Sequence, residues 1–268
     1  MTTLLTRVAP PAVRPTYRVK HLLEHNLIVY RSVWWVILAG FFEPVFYLFS
    51  IGVGLGALIG DVPGPGGDMV SYAAFVAPAM LAASAMNGAV YESTFNIFFK
   101  IKYGNTYKSI LATPVAPGDI ATGEIVWSLF RGALYSAGFI AVMAVMGLVE
   151  SGWGLLALPA TLLIGFAFGA VGMAATTFMR SWQDFDLVTM VTLPLFLFSA
   201  TFYPLDVYPE FFQKFTQLSP LYHATELVRS LTLGVFDSGL WVNIGVLVGM
   251  GLAGSAVIGR RLERLLLS

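Results

Sequence analysis

Long uncharged apolar runs, separated by shorter polar stretches, set the pattern of this chain. A helix crossing a bilayer needs about 20 mostly apolar residues. Six runs qualify: Val33–Ile59, Tyr72–Thr94, about Gly132–Val149, Gly154–Met179, about Leu187–Phe202 and Leu240–Gly259. The fifth is short and interrupted by Pro194. Gly and Pro inside such runs are tolerated, because neighbouring helices re-satisfy the freed backbone groups. Ahead of the first run, Val19, Leu22, Leu23, Leu27 and Tyr30 recur at helical spacing, with Arg18, Lys20, Glu24, His25 and Arg31 elsewhere. This narrow apolar stripe predicts an amphipathic helix over residues 16–31, lying in the membrane interface. The first outer loop, Gly60–Asp68, carries Pro63-Gly-Pro-Gly-Gly and reads as flexible; the second, near Glu150–Gly152, is very short. Tyr203–Ser238 is too apolar for a free loop and too polar for two more spans. It predicts a pair of short helices dipping back into the outer leaflet, broken at Pro204, Pro209 and Pro220.

Composition agrees with this pattern. Of 268 residues, 57% are hydrophobic and 11% are charged, and mean hydropathy is +0.77. Soluble domains carry about 25% charged residues. So low a charge excludes a disordered protein, a coiled coil and a nucleic-acid binder, and leaves a polytopic membrane protein. Fifteen basic and fifteen acidic residues cancel, but they are unevenly placed. Thirteen of the fifteen Lys and Arg lie in the N-terminal segment, the connection between spans two and three, the connection between spans four and five, and the tail. Only Lys214 and Arg229 lie on the opposite side. By the positive-inside bias, six spans with both termini in the cytoplasm fit this split. The expectation is an all-α membrane protein of one transmembrane domain over 1–268, with its spans at 33–259 and a cytoplasmic tail at 260–268.

The motifs exclude more than they assign. No G-x-x-x-x-G-K-S/T run occurs, so the chain binds no ATP through a P-loop of its own. There is no cysteine for a disulfide, a thiolate metal site or a nucleophile. Gly52, Gly54 and Gly56 imitate a dinucleotide-binding pattern, but inside a span they suit close helix contact better, as do Gly165/Gly169 and Gly245/Gly249. His21 and His25 read as surface histidines rather than metal ligands. His223 is either a pH-sensitive group or, more blandly, a structural hydrogen-bonding one. Glu43, mid-span, faces a polar groove or a partner helix, or is protonated. Glu92 and Arg131, near the ends of spans two and three, either pair or snorkel.

Two passages carry a family likeness. Thr106-Tyr-Lys-Ser-Ile-Leu-Ala-Thr-Pro-Val-Ala-Pro-Gly-Asp119, with Gly123 and Glu124 beyond it, resembles the "LLATPVSP-x-(D/E)-I-x-x-G" segment of type-two ABC exporter permeases. Phe202-Tyr-Pro-Leu-Asp206, Pro209 and Leu218-Ser-Pro-Leu-Tyr-His223 through Arg229 resemble that family's outer segment. Gly118-Asp-Ile120, Gly123-Glu124 and Trp127, with Pro220-Leu-Tyr-His223, are similar to the branch that exports nodulation lipo-oligosaccharides.

The resemblance implies a division of labour. The chain would be a transport subunit, not an enzyme. It would bind no cofactor itself; ATP and Mg would sit in a separate P-loop ATPase subunit, present in two copies. A second permease copy or paralogue would complete the transporter in the cytoplasmic (inner) membrane. A short coupling helix at Thr106, Tyr107, Lys108, Ser109, Leu111, Ala112 and Thr113, capped by Pro114 and Pro117, would insert into the ATPase. The interfacial helix, with Arg18, Leu22, Glu24, Leu27 and Arg31, would touch it too. Met80, Ser84, Asn87 and Tyr91 of span two, with Phe196, Ser199 and Phe202 of span five, would line the substrate path at the dimer seam. Tyr203, Pro204, Pro220, His223, Glu226 and Arg229 would form the outer gate. The cargo class is a lipid-linked saccharide, a glycolipid or a hydrophobic drug. Two other readings compete. An intramembrane enzyme needs a nucleophile–base pair in the bilayer, and none is visible. An ion-coupled secondary transporter needs buried titratable groups or matching broken helices, and only span five looks broken.

Overall fold

The computed structural model describes residues 45–104, 106–113 and 115–267, together with Glu24, 26–28 and Phe42; the side chains of Lys108 and of 262–267 are not described. The expectations for Arg18, Leu22, Arg31, Glu43, Pro114 and the two N-terminal histidines lie outside these residues. Glu24 is helical and exposed, and so is Leu27.

The described chain is helical apart from one small hairpin. Helix α1 (Val45–Ile59) winds as a π-helix over Leu48–Leu55. Strands β1 (Asp61–Pro63) and β2 (Met69–Ser71) pair antiparallel, with Val62 opposite Val70. The Gly/Pro-rich outer loop is therefore a hairpin and not an open loop. Its turn is closed by Gly64 N–H donating to Asp68 O at 2.8 Å, and Gly67 takes a positive φ of 83°. Helix α2 (Tyr72–Lys102) starts at Ser71, whose hydroxyl caps Ala74 N–H, and contains a π turn at Glu92–Asn96. Helix α3 (Thr106–Leu111) is short. Helix α4 (Pro117–Val145) begins with Pro in its first turn, and Asp119 bonds back to Ala116 N–H at 3.0 Å. Helix α5 spans Gly152–Thr176 and α6 spans Phe185–Leu197. Helices α7 (Glu210–Leu218) and α8 (Pro220–Leu233) follow, and α9 (Gly239–Leu267) ends the chain.

Four helices among the described residues are long and apolar enough to span a membrane: α2, α4, α5 and the Gly239–Arg261 part of α9. The molecule is thus an all-α membrane protein. Helix α6, with 13 residues, is shorter than the run that predicted it. It breaks at Phe198, and Ala200 enters the left-handed region at φ 54°. The connection between predicted spans two and three, residues 95–127, is largely helical. Most of it continues α2 and α4, and only α3 and its flanking turns lie between. The outer stretch does hold two short helices, and the prolines sit where predicted, with Pro204 and Pro209 just ahead of helical turns and Pro220 opening α8.

Helix α5 is the centre, flanked by α2, α4 and α9, while α8 packs against α2 and α9. Close packing depends on missing side chains at several points. A Cβ on Gly172 would lie 2.2 Å from Ser93 Oγ of α2, and one on Gly254 would lie 2.8 Å from the backbone of Ala170 and Val171. Gly245 and Gly249, by contrast, have open space where a Cβ would stand, so that predicted small-residue pair meets none of the described helices closely. The close approach on α9 has shifted to Gly251 and Gly254, which face Phe166 and Ala170.

Candidate coupling site

At the end of the bundle where α2 passes into α4, α3 is anchored by one side chain. Tyr107 is 1% exposed and sits among Ile97 of α2, Ile120 and Ala121 of α4, Met173 of α5 and Ile258 of α9. Ile110, Leu111 and Val115 pack on the edge of this cluster. Ser109, Ala112 and Thr113 are exposed, and Thr113 Oγ1 closes the helix end by donating to Ile110 O at 2.6 Å. The predicted coupling residues thus divide into an inward set, Tyr107 and Leu111, and an outward set. The Tyr107 hydroxyl is buried near the Glu124 carboxylate, with no well-aligned hydrogen bond among the described residues. Burial, reinforced by the Glu124 carboxylate, holds its phenol well above the usual pKa, so it stays neutral.

Just above Tyr107, two ion pairs bridge α2 and α4. Lys100 Nζ donates to both Glu124 oxygens at 2.8 Å. Arg131 pairs with Glu92, and its other arm donates to Tyr135 Oη at 3.2 Å. Asn96 Nδ2, four residues on, donates to Glu92 Oε1 at 2.6 Å. Glu92 and Arg131 therefore pair and do not snorkel. A lone charge deep in a span costs about 2.5–3.5 kcal/mol on insertion scales, and pairing offsets that cost. The π turn at Glu92–Asn96 is the local device: its extra residue re-aims the helix face at the point where Glu92 meets Arg131.

Sequence reasoning missed an aromatic clasp beside this network. Phe95 stacks on Phe185 at 4.0 Å and on Tyr91 at 4.7 Å, and meets Trp182 edge-on at 5.3 Å. Phe98 meets Phe185 at 5.1 Å, and Phe99 meets Trp182 at 5.2 Å. These rings tie the start of α6 to the end of α2. The signal was present as Tyr91, Phe95, Phe98 and Phe99 on one helix, an aromatic girdle of the kind found at membrane interfaces. Asp184 shapes the turn into α6. Its carboxylate accepts from Arg180 N–H at 2.6 Å and Ser181 N–H at 3.1 Å, and these bonds hold it below the usual carboxylate range.

At the other end, Arg229 is 1% exposed. It donates to Phe75 O at 3.2 Å and Ala200 O at 2.9 Å, pairs with Glu226, and lies 3.8 Å from the Phe75 ring centroid. One side chain thereby joins α8, α2 and the turn after α6. His223 Nδ1 is 2.7 Å from Asn243 Oδ1, a hydrogen bond from α8 to α9. Pro204 is half-buried and Tyr203 exposed. The residues expected to line a path do not share one surface of the chain. Met80 is in the core, and Ser199 is buried 2.6 Å from Ser219 Oγ, so neither faces a passing molecule in a single copy. Ser84, Phe196 and Phe202 are half-buried; Asn87 and Tyr91 are exposed.

Spanning helices with a short intervening helix packed at one end describe a multi-pass membrane protein. Comparison with known proteins identifies it more closely. Residues 17–233 match the family described as ABC-2 type transporter, and the chain belongs to it. It is 35% identical to "Nodulation protein J" of Rhizobium leguminosarum bv. viciae, over 85% of this chain and 88% of that one. It is 34% identical to "Nodulation protein J" of Rhizobium meliloti (strain 1021), over 79% of each. It is 30% identical to "Inner membrane transport permease YadH" of Escherichia coli (strain K12), over 75% of this chain and 77% of that one. The chain is the membrane subunit of an ABC exporter, a multi-pass permease that works with a separate ATPase. Nothing favours an ion-coupled carrier.

Proposed function

We propose that this permease exports an amphipathic, lipid-bearing cargo, a lipid-linked saccharide or glycolipid or a hydrophobic drug, across the cytoplasmic membrane. It has six spans: α1 completes the first, and α6 with the turn after it forms the fifth. Both termini are cytoplasmic, in keeping with thirteen basic residues on one side. Residues 1–268 form one permease domain. Two permeases, identical or paralogous, and two ATPases make the transporter, and ATP with Mg binds in the ATPases.

The observation that carries this reading is the seating of α3. Its Tyr107 is buried in the apolar cluster to which α2, α4, α5 and α9 all contribute. When ATP closes the ATPase pair, force on the exposed face of α3 is therefore passed into this cluster at the end of the bundle rather than bending a loop. The Lys100–Glu124 and Arg131–Glu92 pairs make α2 and α4 move as a unit, and the aromatic clasp passes that movement to α6. Support for a dimer seam at α6 comes from Leu187, Met190, Val191 and Leu193, which are all exposed. The outer helix α7 presents Phe211, Phe215 and Leu218, as an interfacial gate helix would.

The test is purification of the chain with its native partners. A P-loop ATPase is expected to co-purify, and the complex to hydrolyse ATP. A pure chain with neither sinks the reading. For the cargo, lipid mass spectrometry of cells lacking the chain is expected to show an acylated saccharide or similar amphiphile retained in the inner leaflet. An unchanged lipid profile overturns that class.

A further inference from the structure

A second feature of the coupling end takes no part in seating α3. A cavity of about 220 Å³ opens between the end of α2, the turn after α5 and α9. Its walls are apolar at Phe98, Ile101 and Phe178, and its charged groups are Lys102, Arg180 and Arg261. Among the described residues no carboxylate lines it. The ion pairs among the described residues use Lys100, Arg131 and Arg229 and none of these three. The acid acting on Arg180 is Asp184, whose carboxylate is occupied by two backbone N–H groups.

Arg261 is half-buried and incompletely satisfied. Its guanidinium lies 4.0 Å from the Phe178 ring centroid, and Nη2 donates to Thr177 O at 3.4 Å. Its Nε–H is buried without a partner. A buried donor left unpaired costs about 1–3 kcal/mol, and more when charged. The Thr176 and Thr177 hydroxyls are already spent on backbone carbonyls of Ser93, Gly172 and Ala174.

Position narrows the ligand. Three apolar segments stop here together: α2 at Lys102, α5 at Thr176 and the apolar part of α9 at Arg261. Where several spans end at one level, the bilayer passes from hydrocarbon to headgroups. A basic pocket between helices at that level has the chemistry to hold a phosphate monoanion or dianion.

We infer that Lys102, Arg180 and Arg261 form a binding site for the phosphate of an anionic phospholipid, with acyl chains running along the exposed Phe178.

The test uses the full chain in nanodiscs and native mass spectrometry, with phosphatidylglycerol and phosphatidylcholine as probes. The wild type is expected to retain phosphatidylglycerol in preference. Lys102→Gln, Arg180→Gln and Arg261→Gln are each expected to weaken that retention about fivefold, the value of one interfacial charge. Lys102 is exposed, so K102Q leaves the packing untouched and keeps the test decisive if R261Q misfolds. Equal retention of both lipids, or variants that hold phosphatidylglycerol as tightly as the wild type, overturns the site. Inorganic phosphate separates the sources. If it displaces the lipid, the pocket recognises phosphate from either source; if it does not, the site is one for lipid.

Discussion

Tyr107 and Arg229 show what single buried side chains do in this permease. Tyr107 contributes shape, since its hydroxyl makes no well-aligned hydrogen bond among the described residues and its ring is buried in the apolar cluster at the end of the bundle. Tyr107→Phe is therefore expected to be neutral or slightly stabilising, because it removes an unsatisfied polar atom. Tyr107→Ala is expected to lose about 3–5 kcal/mol and to uncouple ATP hydrolysis from transport. Thermal denaturation and ATPase assays of the purified complex separate the two. Arg229 works through polarity. It satisfies two carbonyls and one carboxylate in a site nearly closed to solvent. Arg229→Met fits the space but leaves those acceptors unpaired, so a loss of about 3–5 kcal/mol is expected in detergent melts. The difference between the two was invisible in the sequence. Both are single polar letters in motif segments, and only their neighbours reveal which part of the side chain matters.

Elements here are positioned by their ends and by gaps in their surfaces. Helix α9 meets α5 at Gly254, where an added Cβ would strike backbone, which cannot step aside. Gly254→Ala is expected to cost about 1–3 kcal/mol, as overpacking does. Gly249→Ala, on the same helix but facing open space, is expected to stay within about 0.5 kcal/mol of wild type. Equal melting shifts for the two would refute this placement. The turn into α6 depends on Asp184. Its carboxyl pKa lies below the ordinary value of 3.8, so its contribution is present above pH 3.8 and is lost as pH falls through the lower, folded value. Asp184→Asn is expected to remove this acid-dependent step. Tryptophan emission, to which the neighbouring Trp182 contributes, followed from pH 5 down to pH 2 in both proteins, checks it.

On the proposed function the whole molecule is a lever with a separate motor, and its arm, α3, has an inward and an outward face. Leu111 and Thr113 both fall in the predicted coupling segment, but Leu111 packs inward and Thr113 is exposed. The outward residue Ala112 is the cleaner target. Ala112→Glu is expected to leave the fold and membrane insertion intact while reducing ATP-driven transport at least tenfold. Flux into inverted vesicles measures this, and normal flux would remove α3 from the drive path. Much was already determined by the order of residues. Bilayer thickness demands long apolar runs, so the four long spanning helices were legible locally, and family membership followed from two motif segments. Other features required the fold. The hairpin, the shortened α6, the shift of close packing from Gly249 to Gly254 and the pairing of Glu92 with Arg131 each depend on residues far apart in sequence. Inside a membrane almost every position is apolar, so hydropathy says that a helix is buried in lipid or protein but not which. Only the packing of α2, α4, α8 and α9 around α5 decided which faces meet, and therefore which side chains carry force.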